Sequence, residues 1–132
     1  MRDLDIIIET SVLIDIEKNN NVVVSKLKKL DLMENDIYIT SPTYSEFYLG
    51  LFTLSNGRLK QEKERLDKYK LLNTTKNSSK ILAEIKHHLS KEGIMIPIFD
   101  LLIASIAMDA GMPLISLDKH FKNVPNLNVI VL

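Results

Sequence analysis

The sequence predicts an α/β domain in which a central, mostly parallel sheet is covered by helices on both faces, in three layers. Three observations lead there. Short runs of β-branched and aliphatic residues alternate along the chain with longer amphipathic segments, the order of strands joined by helical crossovers. The runs are apolar at successive positions, as in strands buried on both faces. The chain has 132 residues, 45% hydrophobic and 26% charged, which suits one globular domain and excludes a disordered one.

Leu4 to Ile8 is the first β-branched run and ends at Glu9. Thr10-Ser11 offers side-chain oxygens for a helix start, and Val12, Leu13 and Ile16 follow at helical spacing. A second helix is expected from Val22 to Leu32, with Val23, Leu27 and Leu30 on one side. Asp36 to Thr40 reads as the second strand. Ser41-Pro42 places a cap and then a proline at the first helical position, and Tyr44, Phe47, Tyr48 and Leu51 form the apolar stripe of that helix. A charged helix spans Arg58 to Leu72, and Leu71 to Thr75 holds a short strand. Asn77-Ser78 caps the next helix, whose stripe is Ile81, Leu82, Ile85 and Leu89. Asp100 opens another helix, with Leu102, Ile103, Ile106, Ala107 and Ala110 facing inward, stopped by Gly111 and Pro113. Pro113 to Leu117 and Asn128 to Leu132 are the last strands.

The chain has no cysteine, which excludes disulfide scaffolds, thiolate metal sites and cysteine nucleophiles. The acids among the apolar residues of MRDLDIIIE do not fit a secretory signal, and no stretch approaches the ~20 apolar residues of a membrane span. The cytoplasm is the expected location, without a membrane partner.

In parallel sheets, sites form outside the carboxyl ends of the strands. Glu9 and Asp118 directly follow apolar strands, and Glu46 and Asp100 lie on helices beginning near that edge. Carboxylates brought together there repel one another unless protonated or bridged by cations. Oxygen ligands without cysteine or a histidine pair favour Mg²⁺ or Mn²⁺, ions that can drive phosphodiester hydrolysis. Asp3, Asp5, Asp15 and Asp109 read as solvated or capping charges. Of His87 and His88, one reads as exposed and one as partly packed. His120 reads as a turn residue beside core Phe121, close enough to Asp118 to approach a bound phosphate. Ser11 and Ser45 have no partnered base in sequence, which argues against a serine nucleophile.

The runs IIIETSVLIDIEK, SPTYSEFYLGL, FDLLIASIAMDAGMPLISLD and KHFKNVPNLNV together resemble a PIN-domain ribonuclease, and within that family the VapC-type toxins of toxin–antitoxin pairs. The likeness covers nearly the whole chain. It is most specific in the C-terminal third, and between Ser55 and Gly93 it extends only to charged helices of the right length. The family's acids fall on Glu9, Glu46, Asp100 and Asp118. The resemblance implies a PIN-like fold, Mg²⁺ or Mn²⁺ on those acids, and RNA cleavage by a metal-activated water. It also implies that Thr10 orients the first acid, that Ser116 supports Asp118, and that the partners are an antitoxin protein and a second copy of the chain. An exposed apolar face on the Tyr44–Leu54 helix would suit either protein contact.

Two departures stand out. The first acid is Glu9 where the family has Asp, and a relative's second Asp is here Ile98. Glutamate reaches about 1.5 Å farther, which leaves open a working variant, a weakened nuclease, a substitution introduced to permit production, or a catalytically impaired RNA- or protein-binding module. A phospho-accepting receiver domain is a third reading of acids at strand ends, but the required acceptor Asp and later Lys are poorly placed.

The charge is uneven. Residues 55–91 carry ten Lys/Arg against four acids, a balance of +6, and the remainder carries −6, for a formal net charge of zero. Arg58, Lys60, Lys63 and Arg65 are candidate phosphate contacts, against the alternative of a solvated helix with pairs such as Glu64–Lys68.

Overall fold

The computed structural model describes residues 5–33 and 36–132, so Leu4 and Asp3 lie outside the described residues. Among the described residues five strands form one sheet: β1 (Ile6–Ile8), β2 (Ile37–Thr40), β3 (Lys70–Leu72), β4 (Leu114–Ser116) and β5 (Val129–Val131). Their order is β3-β2-β1-β4-β5 and every pairing is parallel. A receiver-type sheet has a different order, 2-1-3-4-5. The helices are α1 (Thr10–Glu17), α2 (Asn21–Lys29), α3 (Ser41–Leu51), α4 (Asn56–Leu66), α5 (Lys76–Lys91) and α6 (Ile98–Ala110), with a 3₁₀ turn at Lys119–Asn123.

The central strand explains the layers. Ile6, Ile7 and Ile8 are all buried, but successive side chains point to opposite faces. Ile7 packs with Ile85, Leu89, Leu101, Ala104 and Phe121, from α5, α6 and the 3₁₀ turn. Ile6 and Ile8 pack with Val12, Leu13, Val23, Leu27 and Leu66, from α1, α2 and α4. A strand this apolar therefore needs helices on both sides.

Several expected boundaries move. The charged helix ends at Leu66, and β3 begins at Lys70 rather than Leu71. Helix α5 is capped by Thr75, whose hydroxyl accepts from Ser78 N at 2.9 Å while Ser78 Oγ accepts from Thr75 N at 2.7 Å. Helix α2 stops at Lys29, and Leu30 is exposed. Helix α6 starts at Ile98, and Gly111 ends it in the left-handed conformation, φ 67°. Leu101, Ala104 and Ser105 join Ile103, Ile106 and Ala107 inside α6, whereas Ala110 is exposed and Leu102 half-buried, because α6 packs against both α5 and α3.

Helix α3 departs most from its expected stripe. Its buried residues are Pro42, Thr43 and Leu51, and Tyr44, Phe47 and Tyr48 are only half-buried. Tyr44 and Tyr48 stack at 6.0 Å, Tyr48 meets Phe52 edge-on at 5.7 Å, and Leu49 and Phe52 are exposed. His87 and His88 are both exposed on α5. Asp15 accepts from Asn20 Nδ2 at 3.3 Å. Asp109 accepts from Thr75 and Asn77, each at 2.7 Å, and these bonds hold its carboxyl below the usual range. No helix among the described residues is long and apolar enough to cross a membrane.

Candidate active site

The parallel sheet puts the ends of β1 and β4 side by side at the edge where the strand order reverses, the position at which such folds build sites. Glu9 leaves β1 there as the N-cap of α1. Its Oε2 accepts from Ser11 N at 3.1 Å. Its Oε1 accepts from the hydroxyls of Ser11 and Ser116, the latter at 2.7 Å. Each serine also links to the chain after β4: Leu117 N donates to Ser11 Oγ at 3.2 Å, and Asp118 N donates to Ser116 Oγ at 2.9 Å. Glu9 is only 6% exposed. Such burial is costly for a carboxylate, and here three donors offset it without a lysine or arginine.

Thr10 was expected to orient the first acid. Its hydroxyl instead donates to Glu46 Oε1 at 2.7 Å and lies 2.9 Å from Thr43 Oγ1. A hydroxyl carries one proton, so Thr43 donates to Thr10, and the chain Thr43–Thr10–Glu46 ties α3 to α1. The acid above α1 is held by Ser11. Sequence reading missed this because the direction of the first helical turn relative to the sheet decides which of two adjacent hydroxyls faces which acid.

Asp100 lies in the first turn of α6, and Asp118 caps the 3₁₀ turn, accepting from His120 N at 3.0 Å. The His120 ring sits between them, with Nε2 2.9 Å from Asp100 Oδ2 and Nδ1 2.8 Å from Asp118 Oδ1. The Nε2 contact is close but lacks the alignment of a hydrogen bond, and this buried atom has no other partner among the described residues. Burial pushes the Asp100 carboxyl above its usual range; His120 opposes that shift, while the charges of Glu9 and Glu46 add to it. Asp100 thus lies near Glu9 and Glu46, and His120 links it to Asp118. The sequence places His120 in a turn beside Phe121 and near Asp118; its contact with Asp100 comes only from the fold.

The acids are engaged by hydroxyls and by His120, and among the described residues no three His, Asp or Glu side chains close on a single point. The donor set nonetheless suits a hard divalent cation: carboxylate oxygens, backed by hydroxyls, with His120 the one salt-bridge partner of these four acids among the described residues.

The basic candidates separate. Arg58 lines a cavity of about 300 Å³ together with Glu46, Ile14, Phe47, Leu51 and Leu54. Lys60 is exposed. Lys63 lies 5.3 Å over the Tyr48 ring, and Arg65 is paired with Glu62 at 3.4 Å and Glu17 at 3.6 Å. A larger cavity, about 570 Å³, opens by Ile37, Tyr69 and Lys70 and contains none of the four acids.

The PIN domain family model matches residues 6–127. Among solved structures, the chain is similar to VapBC2 from Rickettsia felis bound to a promoter DNA fragment, with 24% identity, 98% of this chain and 99% of the other covered, and a TM-score of 0.81. It is similar to FitAcB from Neisseria gonorrhoeae, with 25% identity, 95% and 96% covered, and a TM-score of 0.78. It is also similar to VapBC-1 from nontypeable Haemophilus influenzae, with 20% identity, 97% and 98% covered, and a TM-score of 0.81. Comparison with curated protein sequences finds no match.

Proposed function

The chain belongs to the PIN domain family, and from that premise we propose that it is a metal-dependent endoribonuclease, the toxin of a toxin–antitoxin pair. The single observation that carries this reading is that Asp100 feels the charges of Glu9 and Glu46 while His120 bridges it to Asp118. Mg²⁺ or Mn²⁺ held by these carboxylates would act as a Lewis acid toward a phosphodiester and lower the pKa of water. The chain's own residues supply the rest. Ser11 and Ser116 fix the Glu9 carboxylate, Thr10 fixes Glu46, and the 3₁₀ turn fixes Asp118. Arg58 stands where it can meet a phosphate beside Glu46.

The similar structures named VapBC and FitAcB support a small antitoxin as partner. The exposed Leu49 and Phe52 beside Tyr48 offer a surface for that protein or for a second copy of the chain. The place of action is the cytoplasm, where RNA resides.

The test is incubation with structured RNA and Mg²⁺ or Mn²⁺. Cleavage is expected to leave 3′-hydroxyl and 5′-phosphate ends and to stop with EDTA or Asp118→Asn. No cleavage, or cleavage that survives both, refutes the reading. A second reading, a weakened nuclease that mainly binds RNA or protein, is favoured by one observation: both Glu9 oxygens are already occupied by internal donors. Glu9→Asp separates the two.

A further inference from the structure

We propose that His120 is a positioning residue for the cation site, a clamp that sets the spacing of Asp100 and Asp118 before an ion arrives. The proposal rests on the reading of the four acids as metal ligands. Asp100 belongs to α6 and Asp118 to the turn after β4, so nothing in the local backbone fixes the gap between them. Two carboxylates in a partly desolvated cleft repel, and Asp100 and Asp118 side chains are 18% and 47% exposed. The imidazole spans the gap with one nitrogen on each, at 2.9 and 2.8 Å.

The ring itself is held from behind. Phe121 is fully buried in the core, and its ring centroid is 4.8 Å from that of His120. The backbone N–H of His120 is bonded to Asp118 Oδ1. The 3₁₀ turn therefore anchors the imidazole at one end in the hydrophobic core and at the other in the acid it contacts. The contacts use Asp100 Oδ2 and Asp118 Oδ1 only. Asp100 Oδ1 and Asp118 Oδ2 accept no hydrogen bond from the described residues, so a cation can take those oxygens while the imidazole keeps the other two. Side chains that stand behind metal ligands in this way typically change metal affinity by 10–100-fold.

The experiment is Mn²⁺ binding to the full chain, followed by calorimetry and by the electron paramagnetic resonance signal of free Mn²⁺, for the wild type, His120→Ala and His120→Gln, with thermal melting of each. The expected result is weakening of Mn²⁺ affinity by His120→Ala, roughly 10–100-fold, with an intermediate loss for His120→Gln, whose amide can donate to one carboxylate. Folding should be retained, because the ring is partly exposed; if His120→Ala does not fold, His120→Gln carries the test. Unchanged affinity in both variants overturns the clamp. Tighter binding also overturns it, because His120 would then be a competitor for the cation's place. No Mn²⁺ binding by the wild type overturns the metal reading of the four acids, and the clamp with it.

Discussion

Ser116→Ala is the sharpest test of how the acidic edge is built. Ser116 is fully buried and its hydroxyl does two things: it donates to Glu9 Oε1 at 2.7 Å and accepts from Asp118 N at 2.9 Å. The first bond serves a carboxylate that is only 6% exposed, and a hydrogen bond to a charged group contributes about 1.5–3 kcal/mol. The second joins neutral groups and Asp118 is exposed, so water can replace it and its loss costs about 0.5 kcal/mol. Alanine fills nearly the same space, so no cavity term is added. The sum is about 2–3.5 kcal/mol. With an unfolding entropy near 2.1 cal/mol/K per residue, the melting temperature of a domain this size should fall by roughly 7–13 °C. Differential scanning calorimetry without divalent ions reads this directly, and urea unfolding checks that the transition stays two-state. A fall of less than about 2 °C, well below the charged-bond range, would mean that Glu9 does not depend on Ser116 and that the network at the end of β1 is misread.

The other predictions are smaller in scope. Glu9→Asp keeps a good cap for α1 but shortens the reach toward Ser116, so stability should fall by about 1–2 kcal/mol and RNA cleavage should stay within tenfold of the wild type; a gain near 100-fold, the scale of a 1 Å misplacement, would favour the weakened-nuclease reading. Tyr69 donates to Glu17 at 2.9 Å, and burial and then the Glu17 charge push its hydroxyl well above the ordinary value of 10.0; the stability this brings is present below pH 10 and lost as pH rises further. Tyr69→Phe should therefore cost about 1–3 kcal/mol at neutral pH and flatten the alkaline slope of the urea midpoint, and an unchanged slope would refute the assignment. Burial raises the Asp100 carboxyl above 3.8, so its contribution to stability is complete below that pH and is lost as pH rises through the higher folded value. Asp100→Asn should gain on the wild type in metal-free unfolding as pH rises from 3 through that window, and a constant difference would count against it. Gly111→Ala meets no atom within 4 Å but must adopt φ 67°, so it should cost about 1–2 kcal/mol in thermal melting.

The strands were legible because their residues leave no alternative: Ile6, Ile7 and Ile8 in succession can only be buried on both sides. The stop at Gly111 was legible for a similar reason, since a left-handed residue before Pro113 ends a helix wherever it occurs. Helix α3 was legible in part: Leu51 is buried and Tyr44, Phe47 and Tyr48 pack half-buried against the core, but hydropathy ranks these aromatics above threonine and so hides Thr43. Thr43 is fully buried, its hydroxyl satisfied by Thr10, while the aromatics that pack on the core also meet polar neighbours: Tyr44 donates to Asp67 at 2.7 Å and Lys63 covers Tyr48. A polar residue that is buried because another polar residue waits for it cannot be seen until both are in place. The same holds for His120, which has no partner within its own turn except Asp118 and gains Asp100 only from α6.

The longer first acid can be understood from this network. An aspartate at position 9 would still cap α1 through Ser11 N, because caps need only a short side chain. It would fall about 1.5 Å short of the position from which Glu9 Oε1 accepts from Ser116, on β4. Glutamate is thus the length that lets one carboxylate serve the helix it caps and the neighbouring strand together. Ser11 completes the span by bonding both Glu9 and Leu117 N. Glu9, Ser11 and Ser116 form one unit across the ends of β1 and β4, and the extra methylene has a structural use that is separate from metal binding. The uneven charge has the same local logic. The chain is neutral in sum, yet at this edge hydroxyls, two backbone amides and one imidazole hold the carboxylates without a salt bridge from lysine or arginine among the described residues, while the +6 excess of lysine and arginine lies in residues 55–91.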